Sequence, residues 1–291
     1  MIEIPEYYIT LIILISIYSI ASSGLNITSG YGGQVNLGQA AFLGIGAFST
    51  AILAKQGYPF LVVIPISGIL SMFVGVIIGI VSIRLRKDFL AITTIAFNFI
   101  MVAIFLYYPL FGESFGIIDI PRPTIANFTV KGFWFAIMCL VILALLLIFK
   151  YWILKSWIGK AFSAISQDET ASYALGIDVR KFKVITFALG TFYGGIAGSL
   201  LAYFKTYTVY SDFSFVLSIE ILTMMVLGGM GTIIGPLIGT TIYILIPELV
   251  RPLYTYRLAF SMFLLVILLR FFPSGLFGSK STLRKFIAGL T

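Results

Sequence analysis

Nine apolar runs, each about 17–25 residues long, follow one another along this chain, and that rhythm leaves few folds open. They fall near 7–25, 36–54, 59–83, 88–108, 133–154, 181–203, 215–231, 233–250 and 257–273. A run of this length crosses the hydrocarbon of a bilayer as an α-helix, whereas a membrane β-barrel would show short alternating segments. A water-soluble domain of 291 residues with 60% hydrophobic and 10% charged residues has too little polar surface to cover itself. The expected fold is therefore all-α, a polytopic transmembrane helical bundle of about 8–10 spans. The segments 36–54 and 215–250 are interrupted by glycine and are expected to be broken or re-entrant. Glu3 and Glu6 precede the first run where a signal peptide would carry lysine or arginine, so the first span is expected to be retained.

Charge orients the bundle. Arg84, Arg86 and Lys87 form one basic group, and Lys150, Lys155, Lys160, Arg180, Lys181 and Lys183 form a second. Arg270, Lys280, Arg284 and Lys285 form a third. Even numbers of expected spans separate the groups, so all three face one side, and the basic excess of membrane proteins faces the cytoplasm. The expected topology is a multi-pass cell-membrane protein with its N-terminus outside and its C-terminus inside. The net charge of +8 is accounted for in the same way, and no nucleic-acid partner is expected.

The longest cytoplasmic loop then runs from about 156 to 183 and contains "AISQDETASYALGID". Small residues give this stretch a low helical surface, and Gly176 is suited to stop the helix in a left-handed conformation. A low helix can seat in a groove on a partner; resting on lipid headgroups is the alternative. Gln167, Asp168 and Glu169, with few large apolar neighbours, favour the partner.

The chemistry this sequence lacks is equally informative. With no histidine, a lone Cys139 and no paired carboxylates within a span, neither an enzyme nor a metal or cofactor site is expected. No phosphate-binding glycine loop with its Lys-Ser/Thr is present, so the chain is not expected to hydrolyse ATP by that route. Intramembrane ionisable residues are few, and Glu220 is the clearest. It counts among the candidates for the pathway or its gate; a structural role at the outer mouth, capping or hydrogen-bonding to the glycine-rich helix that follows, is the leading expectation, with proton coupling as the alternative.

Two motifs stand out inside the spans. "SGYGGQVNLGQAAFLGIGAF" places Gln34, Asn36 and Gln39 in an apolar run, where each carboxamide needs a partner. They either line a hydrated pathway, or its gate, or pin helices together. In "VLGGMGTIIGPLIGTTI", Gly231, Gly235 and Gly239 recur every four residues and are expected on one helix face for close packing.

The ordered triple "GYGGQVNLGQAAFLGIGA", "DETASYALGIDVRKFKVITFALGTFYGGIAGSL" and "LGGMGTIIGPLIGT" resembles the membrane permease subunits of branched-chain amino acid ABC importers. The resemblance covers residues 20 to 250 and implies a single transmembrane permease domain over 1–291 with no fused ATPase. It implies a coupling helix that docks on the ATPase, with Ala164, Asp168, Glu169, Ala171, Ala174 and Gly176 as its residues. In place of the acidic residue that opens the general ABC permease motif, this chain reads Thr170-Ala171-Ser172. The resemblance also implies a homologous second permease chain, two cytoplasmic ATP-binding subunits and an extracytoplasmic solute-binding protein. An ion-coupled secondary transporter of a small amphipathic solute is the competing expectation.

Overall fold

The computed structural model describes residues 6–83, 85, 87–125 and 128–249, with Phe263, Val266 and Arg270. The expected last span at 257–273 otherwise lies outside the described residues, as do Arg84, Arg86, Lys280, Arg284 and Lys285.

The protein is a helical bundle. Helix α1 (Glu6–Leu25) continues without a break into a π-helical stretch, Asn26–Tyr31. An extended segment leads to α2 (Gln39–Lys55), followed by α3 (Phe60–Ser82), α4 (Lys87–Tyr107) and α5 (Phe133–Lys155). Two short helices, α6 (Trp157–Gln167) and α7 (Glu169–Ala174), precede the long α8 (Val179–Lys205), and α9 (Phe215–Gly228) and α10 (Gly235–Leu249) form a closing hairpin. Five of these elements are long and apolar enough to cross a membrane. The only strands among the described residues are the paired Thr124–Ile125 and Phe128–Thr129 in the loop between α4 and α5.

Aromatic residues mark two levels along the bundle. Tyr58, Tyr107, Tyr108 and Trp134 are exposed at one end, Tyr151, Trp152 and Trp157 at the other. Amphipathic rings settle at headgroup depth, so these girdles set the boundaries of the apolar layer. At the first end, the loop after α4 is tied to the loop after α8: Ile117 and Thr208 exchange backbone hydrogen bonds, and the Ile120 amide donates to the Thr206 carbonyl at 2.9 Å.

Helix α8 is the axis. Its small residues let neighbours approach closely; a side chain at Gly195 would strike Ser67 and Gly68 of α3. Tyr193, fully buried, donates its hydroxyl to the Leu146 carbonyl of α5 at 2.6 Å. Phe48, Phe105, Phe111 and Phe213 stack where α2 and α4 meet the segment before α9.

The glycine pattern needs one correction. Gly231 does not share a helix face with Gly235 and Gly239: it lies in the turn between α9 and α10 at φ 70°, while α10 begins at Gly235. The close packing itself is real, since Gly239 has no room for a side chain against Met224 and Gly228 of α9. With 14 and 15 residues these helices reach about 21–23 Å, short of a hydrocarbon crossing.

Candidate functional site: the interhelical amides and the loop they contact

Between Gly32 and Gly38 the chain is neither helix nor strand. Irregular backbone at membrane depth persists only where protein or water satisfies its polar groups. Gly33 packs against Ser166 of α6, whereas Gln39 reaches Gly190, so the segment descends along α8 past Lys183 and Thr186. From Lys183 to Gly190 is about 10 Å of helix.

The three carboxamides do the satisfying. Gln34 donates to the Lys183 carbonyl at 2.9 Å and to the Thr186 hydroxyl, and its oxygen accepts from Ser82 of α3 at 3.0 Å. Asn36 accepts from the Gly38 amide at 2.9 Å and donates to the Gln39 oxygen at 3.0 Å. Gln39 donates to the Ala21 and Gly190 carbonyls, joining α1 to α8. Thr94 and Ser218 supply the amides of Leu37 and Ala40 with hydroxyl acceptors. All three carboxamide residues are buried, and each bonds within the chain.

Two further residues of this region escape the sequence reading. Asn26, in the π-helical stretch, donates to the Thr232 carbonyl at 2.6 Å and accepts from the Gly231 amide at 2.8 Å, clamping the turn between α9 and α10. Lys150 belongs to a group read as a surface flank. It is instead fully buried, with its ammonium 3.4 Å from the Ile233 carbonyl, 3.5 Å from that of Thr232 and 5.9 Å from the Tyr31 ring centroid. A single lysine inside the apolar run "LLLIFKYWIL" is the signal that could have found it.

At the end where α5 and α8 meet, the expected single helix over Ala164–Gly176 is two helices. Asp168 breaks it by leaving the helical conformation, and its carboxylate accepts from the Thr170 and Ala171 amides at 2.8 and 3.1 Å to start α7. Such capping is what aspartate does best at a helix start. Glu169 turns to α8 and meets the Lys183 ammonium at 2.7 Å. Ala164, on α6, is partly buried, whereas Ala171 and Ala174 are exposed. Gly176 adopts φ 81° and ends the turn, as expected of it. Sequence reasoning counted Leu175 with Ala171 and Ala174 in a broken apolar face but passed over Tyr173; the two stand 79% and 75% exposed on either side of Ala174.

Glu220 lies in the second turn of α9, half-buried and remote from these groups along the chain. The first amide of α10, that of Gly235, is capped by the Thr232 hydroxyl, and α10 begins beyond the far end of α9.

Comparison with known proteins agrees with this architecture. Residues 7–272 match the family model described as branched-chain amino acid transport system / permease component. The high-affinity branched-chain amino acid transport system permease protein LivM of Escherichia coli is 29% identical, over 90% of this chain and 68% of its own. A probable branched-chain amino acid transport permease protein LivM of Methanocaldococcus jannaschii is 25% identical over 91% of both. The E. coli permease protein LivH is 30% identical over 52% of this chain and 48% of its own. No solved structure matches. The chain thus belongs to the family of branched-chain amino acid transport system permease components, as a multi-pass membrane protein.

Proposed function

We propose that this chain is one of two homologous permease subunits of an ATP-driven importer for branched-chain or related amino acids. Two cytoplasmic ATP-binding subunits drive it, and an extracytoplasmic solute-binding protein delivers the solute. Relatives bearing two subunit names, LivM and LivH, support a paired permease. The basic end of the bundle, carrying Lys155, Lys160, Arg180 and Lys181, faces the cytoplasm, which puts the C-terminus inside and the N-terminus outside.

The observation that carries this reading is the tip of α7. Tyr173 and Leu175 expose large apolar groups to no described neighbour, next to the open Ala171 and Ala174, while Glu169 anchors the same short helix to α8. Exposed aromatic and aliphatic anchors on a small-residue platform suit a groove on a partner. A docked ATPase that moves α7 thereby moves α8, the axis on which α2, α3 and the 32–38 segment rest.

The experiment is reconstitution with the ATPase subunits and binding protein in proteoliposomes. Ala171→Arg or Tyr173→Asp is expected to weaken ATPase association and lower ATP-driven uptake about thirtyfold or more, as loss of an interface anchor does, with insertion intact. Wild-type uptake by these variants defeats the docking assignment. Uptake by the chain alone in an ion gradient defeats the importer reading.

A further inference from the structure

The break at Asp168 separates α6 from the docking tip and leaves α6 with a surface of its own. A cavity of about 600 Å³ opens between the first turn of α6 and the start of α8. Its lining includes Trp157, Lys160, Lys181, Phe182 and Asp178, and it reaches Ala164 and Gly176 at the two ends of the stretch read as the coupling helix. We propose that this groove binds the headgroup of an anionic membrane phospholipid.

Three observations favour that occupant. First, depth: Trp157 is 67% exposed and follows Trp152, 71% exposed, by one short turn of chain, so the groove opens at the level of the aromatic girdle. Second, charge: Lys160 and Lys181 are exposed, and neither ammonium makes an ion pair or hydrogen bond with a described residue. The one carboxylate beside them, Asp178, accepts from the Lys181 backbone amide at 3.1 Å and caps α8. Third, shape: Trp157 stands edge-on to Phe182 at 5.5 Å, giving an apolar wall that continues into the buried Ala161, Phe162 and Ile165 face of α6. An apolar wall topped by two free ammonium groups matches a phosphodiester above acyl chains. Basic pockets between membrane helices on the cytoplasmic side take such headgroups. The side assignment rests on the orientation proposed above; the groove and its charge do not.

The test uses the full chain in mild detergent, with Trp134→Phe and Trp152→Phe leaving Trp157 as the reporter among three tryptophans. Short-chain phosphatidylglycerol, short-chain phosphatidylcholine and inorganic phosphate are titrated separately. A saturable change in Trp157 emission is expected with phosphatidylglycerol at about tenfold or more lower concentration than with phosphatidylcholine. Lys160→Gln/Lys181→Gln removes that preference, and Lys160→Arg/Lys181→Arg keeps it; the glutamine pair breaks no described hydrogen bond, so the fold is retained. Equal response to both lipids, or no effect of the glutamine pair, overturns the proposal. So does inorganic phosphate binding as tightly as phosphatidylglycerol, which makes this a free-phosphate site. Displacement of the lipid by stoichiometric ATPase subunit also overturns it, by giving the groove to the docking partner. Loss of importer activity in the Tyr173→Asp variant leaves the lipid titration untouched, so the two readings fail separately.

Discussion

Lys183 holds both ends of one connection: its ammonium meets Glu169 of α7 at 2.7 Å, and its carbonyl accepts from Gln34 at 2.9 Å. Helix α7 and the irregular segment ahead of α2 therefore attach to the same residue of α8. Gln34 extends the connection to Ser82 at the end of α3.

Reversing one charge in that pair is expected to weaken the connection. Glu169 is partly exposed, so solvent screening limits its contribution to stability to about 0.2–1 kcal/mol. Glu169→Lys should consequently fold and insert normally but hydrolyse ATP without matched uptake. Glu169→Lys/Lys183→Glu should recover a measurable part of the coupling ratio. A double variant no better than the single one would show that the pair has no part in transmission.

Gln34→Ala deletes the bonds to Lys183, Thr186 and Ser82 and strands buried partners, which costs about 1–3 kcal/mol for each group left unsatisfied. Lower thermal stability in detergent is expected. Cysteines placed across 33–42 should be closed to a water-soluble thiol reagent at Gln34, Asn36 and Gln39 in the nucleotide-free chain. Labelling that appears only with nucleotide and ATPase present would show that the segment opens during transport and would give these amides the gating role.

Much of this arrangement is written in the sequence, because membrane helices announce themselves by length and composition. The eight expected spans before residue 250 all correspond to described helices, and the glycine-rich stretches are the short or interrupted ones. What is not legible is direction. The sequence says that Gln34, Asn36 and Gln39 need partners, but the partners Ser82, Lys183 and Gly190 lie 48 to 151 residues away. Asp168 reads equally well as a polar helix face and as a cap; only the φ of −152° decides for the cap. Lys150 reads as a flank because charge near a span end normally is one, and only the turn after α9 explains its burial.

Glu220→Gln tests the remaining carboxylate. Glu220 is half-buried in the second turn of an apolar helix, where a carboxylate is kept only by its interactions, so the amide should lower thermal stability slightly. Uptake should fall modestly with its pH dependence unchanged. Uptake that loses its pH dependence would instead assign Glu220 to proton coupling.

Asn26 makes the most local prediction. Its carboxamide offers one donor and one acceptor to consecutive backbone groups, the Thr232 carbonyl and the Gly231 amide, and no other side-chain group is described on that amide. Asn26→Ala leaves the Gly231 amide without its acceptor, at about 1–3 kcal/mol, and the Thr232 carbonyl with only the Lys150 ammonium at 3.5 Å. Asn26→Asp keeps the acceptor and sets a carboxylate near that ammonium, whose attraction offsets the repulsion between its second oxygen and the Thr232 carbonyl. Both variants lose the donated bond and should loosen the turn between α9 and α10, Ala more than Asp. Thiol labelling of a cysteine at Ile234, exposed in that turn, reads the loosening directly. Faster labelling in both variants, in the order Ala above Asp above wild type, is the expected result. Equal rates in all three would mean that the close contact of Gly239 with Met224 and Gly228 holds the hairpin without the clamp.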